Sequence, residues 1–220
     1  MRSLILVGAL SLLAGVSTTA SGQTMEMARY QRAAVRAVNR EDAAEAITRA
    51  MKGKKPEEAR AAGLQLASRD AARLKGDDLK RRAEIILEFT DRAGAKVCSA
   101  WARGTATPDQ TAQMVAKLDS VPLDDWVRLS VRAMVAEIKE KPKAFNGSQK
   151  DVSKMFESLD AGMSPSDSQR FHDVMGRFNK ASNEDACWFG QQLYRAALVL
   201  DGKRRDHTLR TLVWLELQPS

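Results

Sequence analysis

Residues 122–140 read PLDDWVRLSVRAMVAEIKE, and this stretch shows most clearly how the chain folds. Its apolar residues recur every three or four positions, so they fall on one face of a helix. That face consists of Leu123, Trp126, Val127, Val131, Met134 and Ile138. Basic residues fall on the other sides of the same helix, at Arg128, Arg132 and Lys139. The stretch therefore predicts a long amphipathic α-helix that buries one face in a core.

Helical patterns continue on both sides of this stretch. Residues 77–102, 183–200 and 206–217 have a similar periodicity, and no segment shows the sustained alternation of a strand. Helix start signals place proline in a first turn, or an acid three residues after a serine. They occur at Thr107-Pro108, Val121-Pro122, Ser148 to Asp151, Ser164-Pro165 and Ser182 to Asp185. The sequence predicts an all-α fold of about eight or nine helices, as an irregular bundle or as stacked helical hairpins.

The first 22 residues have the pattern of a cleavable secretion signal. Arg2 precedes an apolar run from Leu4 to Val16, which is shorter than the roughly 20 residues that span a bilayer. Small residues at Ala20 and Gly22 favour cleavage before Gln23. We therefore expect a periplasmic or secreted protein without a transmembrane segment, whose residues 23–220 form a single all-helical domain.

The chain has two cysteines, Cys98 and Cys187. An isolated pair in an exported protein is usually bonded, so the sequence predicts one disulfide. A shift of 89 residues also places four residues on identical ones: Asp78 on Asp167, Arg81 on Arg170, Phe89 on Phe178 and Cys98 on Cys187. This weak match suggests two related helical halves that meet near residues 105–147.

Basic residues give the chain a formal net charge of +7. A first cluster has the spacing of one helix face and consists of Arg29, Arg32, Arg36 and Arg40. A second cluster lies near the start of the last helix and consists of Lys203, Arg204, Arg205 and Arg210. Such faces are usually solvated, but they also suit an anionic lipid, an acidic wall polymer or an acidic protein.

Few residues offer catalytic chemistry. The two histidines, His172 and His207, are not flanked by the paired ligands or the nucleophile motifs of known sites, so we expect no metal and no cofactor. Acidic pairs stand at predicted helix starts, where the helix dipole accounts for them. Glu88 and Glu137 are the first mid-helix acids to consider for a helical hydrolase, and nothing in the sequence separates them from ordinary surface acids. No catalytic residue is assigned from the sequence.

These patterns favour a binding protein over an enzyme. We expect an exported helical protein that acts on a protein partner in the cell envelope, as an inhibitor, an immunity-type neutraliser or a chaperone-like protein. An envelope hydrolase with a helix-borne carboxylate is one alternative. A protein that associates with a membrane or wall polymer through a basic helix face is another. The export signal, and the lack of aromatic residues among the basic ones, argue against nucleic acid.

Overall fold

The regular structure in the described part of the chain is entirely helical, which confirms the predicted all-α class. The computed structural model describes residues 25–41, 43–55, 58, 62 and 70–218. The predicted secretion signal at 1–22 lies outside these residues. No described helix combines the length and the apolar character needed to cross a membrane.

Ten α-helices and two short 3-10 helices are formed by the described residues. The α-helices are α1 Met25–Arg40, α2 Ala44–Met51, α3 Asp77–Arg92, α4 Ala95–Ala102, α5 Pro108–Ala116, α6 Ser120–Ile138, α7 Gln149–Ala161, α8 Pro165–Gly176, α9 Asn183–Val199 and α10 Gly202–Glu216. The 3-10 helices are Asp70–Arg73 and Phe178–Lys180.

The helix count exceeds the predicted eight or nine, and residues 77–102 show one reason. Their periodicity is that of a single helical stretch, but the structure divides it into α3 and α4. Gly94 stands between them with a φ of 72°, a left-handed conformation that glycine adopts at low cost. The break therefore depends on backbone geometry that apolar periodicity does not report.

Side-chain caps stand at several of the predicted helix starts. Ser148 accepts a hydrogen bond from the Asp151 N–H, and the Asp151 carboxylate accepts one from the Ser148 N–H, which completes a capping box before α7. The hydroxyls of Ser164 and Ser182 likewise accept a hydrogen bond from a backbone N–H three residues later, and so cap α8 and α9. Thr107 exchanges the equivalent pair of bonds with Gln110 before α5. Local hydrogen bonding therefore sets where these helices begin.

The chain forms two compact units that alternate along the sequence. Unit 1 takes its described residues from 25–74 and 115–144, and unit 2 takes them from 75–114 and 145–218. The chain passes from unit 2 to unit 1 within α5. Both segments of the suggested repeat belong to unit 2, and their relationship stays a prediction, as does the expectation of a single domain.

Unit 1 is built on the pairing of α1 with α6, against which α2 and the 3-10 helix Asp70–Arg73 also pack. Its buried face is rich in alanine on α1, where Ala33, Ala34 and Ala37 are almost completely covered. Leu123, Val127, Val131 and Met134 of α6 are buried as the periodicity predicts, whereas Trp126 and Ile138 are half-buried. Small residues on a buried helix face let the backbone of a neighbouring helix approach closely.

Unit 2 is built around α9, which packs against α3, α4, α7, α8 and α10. Part of its core is aromatic: the Phe171 ring of α8 stacks on the Phe189 ring of α9 with 4.5 Å between centroids. Val174, Ala181 and Ala186 complete this buried cluster. The helices around α9 come from segments that are far apart in sequence, so their side chains meet only in the folded unit.

Candidate functional site

The first basic cluster, on α1 of unit 1, is divided between internal contacts and solvent. Arg29 donates to the Leu118 carbonyl at 3.0 Å, and Arg36 forms an ion pair with Asp124 of α6. Arg32 and Arg40 are exposed and form no ion pair with a described residue. The predicted stripe therefore serves partly to hold α1 against α6, and two of its four arginines face solvent.

The second basic cluster belongs to unit 2. Lys203 and Arg204 lie in the first turn of α10, where Arg204 Nε donates to Ser158 Oγ of α7 at 3.2 Å. Arg205 is half-buried, and Arg210 forms an ion pair with Asp206 one turn earlier, at 2.8 Å. The helical pattern begins at residue 206 in the sequence, whereas in the structure α10 begins at Gly202 and includes residues 203–205.

Cys98 and Cys187 lie at disulfide distance, as expected from the sequence. Their sulfur atoms are 2.00 Å apart and their Cα atoms 5.1 Å apart, which joins α4 to α9 within unit 2. These are also the two helices that pack most extensively against each other in the described chain. The cysteine pair therefore secures the contact from which the concave surface described below is built.

Each of the two histidines lies close to an aspartate of α7. His172 Nε2 lies 3.2 Å from Asp160 Oδ1, and His207 Nε2 lies 3.6 Å from Asp151 Oδ1. A hydrogen bond from Ser168, and then one from His172, lower the pKa of Asp160. Hydrogen bonds from Ser148 lower the pKa of Asp151. No three metal-binding side chains converge on one point in the part of the chain that the structure describes.

The two candidate hydrolase acids lie beside arginines. Glu88 is 3.6 Å from Arg81 on the same helix in unit 2, and Glu137 forms an ion pair with Arg73 in unit 1. Arg73 also donates to the Pro142 carbonyl at 2.7 Å, so it connects the 3-10 helix to the segment after α6. Neither glutamate lines the groove described next, and both have a structural partner.

A groove of about 620 Å³ opens along α9 within unit 2, and we call it the α9 groove. Side chains from α4, α7, α9 and α10 line it, and most of them are apolar. Its main apolar contributors are Trp101, Phe156, Phe189, Leu193, Leu212 and Leu215. Concave, mostly apolar surfaces of 300–1,000 Å³ are the usual form of small-molecule sites.

The floor of the α9 groove depends on a close approach of α4 and α9. Gly190 faces Ala102 at this crossing, and a Cβ at residue 190 would lie only 2.7 Å from the Ala102 Cβ. The rings of Trp101 and Phe89 are nearly perpendicular, with 5.7 Å between centroids, and the Trp101 ring lies 5.9 Å from that of Tyr194. Trp101 is half-buried, so one part of the ring anchors the wall while another part lines the groove.

Few polar groups line the α9 groove, and protein contacts already engage several of them. Glu216 forms an ion pair with Arg82 at 2.8 Å and accepts a hydrogen bond from the Tyr194 hydroxyl. Arg103 donates to the Ala181 carbonyl at 2.6 Å and to Asn183 Oδ1 at 3.4 Å. The groove thus presents one compensated acid and one guanidinium that is held in place by neutral oxygens.

Sequence reasoning did not identify the α9 groove. The sequence signal that comes nearest to it is the spacing of Trp101, three residues after Cys98, and of Trp188, one residue after Cys187, which indicates aromatic packing around the cysteine pair. Arg103, Gly190 and Glu216 carry no motif of their own. The chain matches no protein-family model, no curated protein and no solved structure, so the geometry of the groove is the basis for a functional assignment.

Proposed function

We propose that this chain is a helical binding protein that holds an apolar ligand in the α9 groove. The observation that carries the proposal is the groove itself, a concavity of about 620 Å³ with a mostly apolar lining. Trp101, Leu193 and Leu215 are each half-buried there, so they keep apolar surface that a ligand would cover. Covering such surface contributes about 25 cal/mol per Å² to binding.

The contacts of Glu216, the glutamate that lines the α9 groove, support binding over hydrolysis. A general acid or base must be able to exchange a proton with a bound substrate. In Glu216, one oxygen accepts from Tyr194 and the other lies beside Arg82, so both are engaged within unit 2. We infer that Glu216 organises the wall of the groove by connecting α10 to α3 and α9.

We place this activity outside the cytoplasm. The opening secretion pattern, together with two cysteines at disulfide distance, supports an oxidising compartment. In that setting, the apolar ligand is an envelope component or the apolar part of an envelope partner. This keeps the expectation of a helical binding protein of the envelope and gives it a specific surface.

Binding of a neutral fluorescent probe tests the proposal. The native chain is titrated into N-phenyl-1-naphthylamine, and dodecanol is then used as a competitor. We expect saturable binding with one site per chain, because the α9 groove accommodates one apolar molecule of this size. Absence of saturable binding overturns the proposal.

Matched variants locate the binding site. Leu215→Trp and Gln218→Trp add bulk to the groove lining, and each is expected to weaken probe binding at least about tenfold, a difference of about 1.4 kcal/mol. Val199→Trp places the same side chain on α9 at a position that is 73% exposed and outside the groove, so its affinity should stay unchanged. Thermal unfolding establishes that each variant is folded. Equal affinity in all three variants contradicts the assignment.

A further inference from the structure

The two charged side chains of the α9 groove differ in how their charges are compensated. Glu216 has a cationic partner, because Arg82 lies 2.8 Å from its carboxylate. Arg103 forms no ion pair with a carboxylate in the described part of the chain. Its hydrogen bonds go to neutral oxygens of Ala181, Ser182 and Asn183. The positive charge of Arg103 is therefore not paired with a carboxylate of the described residues.

The guanidinium of Arg103 is held by neutral acceptors but still has donors to offer. Its Nη2 donates to the two carbonyls, and its Nη1 donates to Asn183 Oδ1. A guanidinium carries five N–H groups, so Nε–H and one Nη1–H have no described acceptor. The Phe178 ring lies under the cation, with 5.8 Å between Cζ and the ring centroid. A cation fixed in this way loses little side-chain entropy when it binds an anion.

We propose that the ligand of the α9 groove is a single-chain amphiphile with a carboxylate head, which Arg103 binds while the apolar chain lies against Trp101, Leu193 and Leu215. This inference rests on the proposed function and adds the chemical class of the ligand. A carboxylate would supply the negative charge that Arg103 lacks and would accept from its free donors. Guanidinium–carboxylate hydrogen bonds are charge-assisted and stronger than those to neutral oxygens.

The remaining acid of the groove is compatible with an anionic ligand. An uncompensated Glu216 would repel a second carboxylate, but the Arg82 charge offsets that repulsion. The hydroxyl of Tyr194 also donates to Glu216, which leaves the glutamate with fewer free acceptor positions. The favourable place for an anion is therefore at Arg103, beside the start of α9.

Three ligands with the same alkyl chain length but different head groups separate the contribution of the head group to affinity from that of the chain. Dodecanoate, dodecanol and dodecyltrimethylammonium each displace N-phenyl-1-naphthylamine from the native chain, at pH 8, low ionic strength and concentrations below micelle formation. We expect dodecanoate to bind about tenfold more tightly than dodecanol, since a charge-assisted bond is worth at least that factor. Dodecyltrimethylammonium should bind more weakly than dodecanol.

Variants of Arg103 test whether this residue binds the carboxylate head group. In Arg103→Gln, the preference for dodecanoate over dodecanol should fall to near unity. An unchanged affinity for dodecanol would show that the groove persists in this variant. Arg103→Lys should keep part of the preference, because the charge stays. Arg195→Gln is the control: this α9 residue pairs with Asp91 at 3.1 Å and does not line the groove. Its preference should equal that of the native chain.

The outcomes distinguish this inference from the proposed function. Equal binding of dodecanoate and dodecanol overturns the carboxylate assignment but leaves a neutral apolar ligand in the groove. A dodecanoate preference that persists in Arg103→Gln overturns the role of Arg103. Failure of all three ligands and of the probe to bind overturns both proposals.

Discussion

The two units bury their helices in different ways. In unit 1, α1 packs on α6 through Ala33, Ala34 and Ala37, which are small enough to bring the helices close together. In unit 2, large rings such as Phe171 and Phe189 stack around α9. Phe189 belongs both to this aromatic cluster and to the lining of the α9 groove. This difference is why we place the proposed binding site in unit 2.

Arginine also has different roles in the two units. Arg36 and Arg132 of unit 1 pair with Asp124 and Glu41, so they connect helices of the same unit. Arg103 of unit 2 is held by carbonyl oxygens and keeps an uncompensated charge in a concave site. The regular spacing of arginines on α1 therefore gives less support to the proposed binding site than Arg103 does.

The largest expected effect comes from removing the cysteine pair. In Cys98→Ala/Cys187→Ala, the free energy of unfolding of unit 2 should fall by about 4 kcal/mol, because the cross-link closes a long loop of the unfolded chain. Urea denaturation measures the change, and hydrogen exchange assigns it to α4 and α9. Reduced native protein should behave in the same way. An unchanged unfolding midpoint would show that the pair contributes nothing to unit 2.

A smaller effect should follow from widening the crossing of α4 and α9. Gly190→Ala places a Cβ 2.7 Å from the Ala102 Cβ, so it should cost about 1–3 kcal/mol through overpacking. Gly176→Ala is the matched control, because nothing lies within 4 Å of its added Cβ and alanine favours the helix. Thermal unfolding should show a lower midpoint for the first variant and an equal or higher one for the second. Equal losses in both would contradict the close approach.

The smallest effect is expected from an ion pair of unit 1. A double-mutant cycle on Arg36→Ala and Asp124→Ala should give a coupling energy of about 0.5 kcal/mol, since their side chains are 47% and 30% exposed. Raising the salt concentration should reduce the coupling through screening. A coupling near zero at low salt would mean that this ion pair does not help to hold α1 against α6.

Local sequence signals predicted most of the helices and several of their boundaries. The Ser148 capping box and the Ser164 cap involve residues three positions apart, so the sequence contains everything that forms them. The start of α4 was missed because Gly94 stands within a continuous helical pattern. Pairing of Cys98 with Cys187 could be predicted because two cysteines allow only one intramolecular partner choice.

The sequence by itself determined the all-α class, many helix starts and the single choice of cysteine pairing. These properties depend on apolar periodicity, on short-range hydrogen bonds and on composition. Tertiary structure alone decided that Trp101, Phe156, Leu193 and Leu215 line one groove, and that Arg82 rather than Arg103 compensates Glu216. The physical reason is that packing joins helices that are far apart in sequence. Apolar periodicity shows which face of a helix is buried, but it does not show which other helices that face contacts.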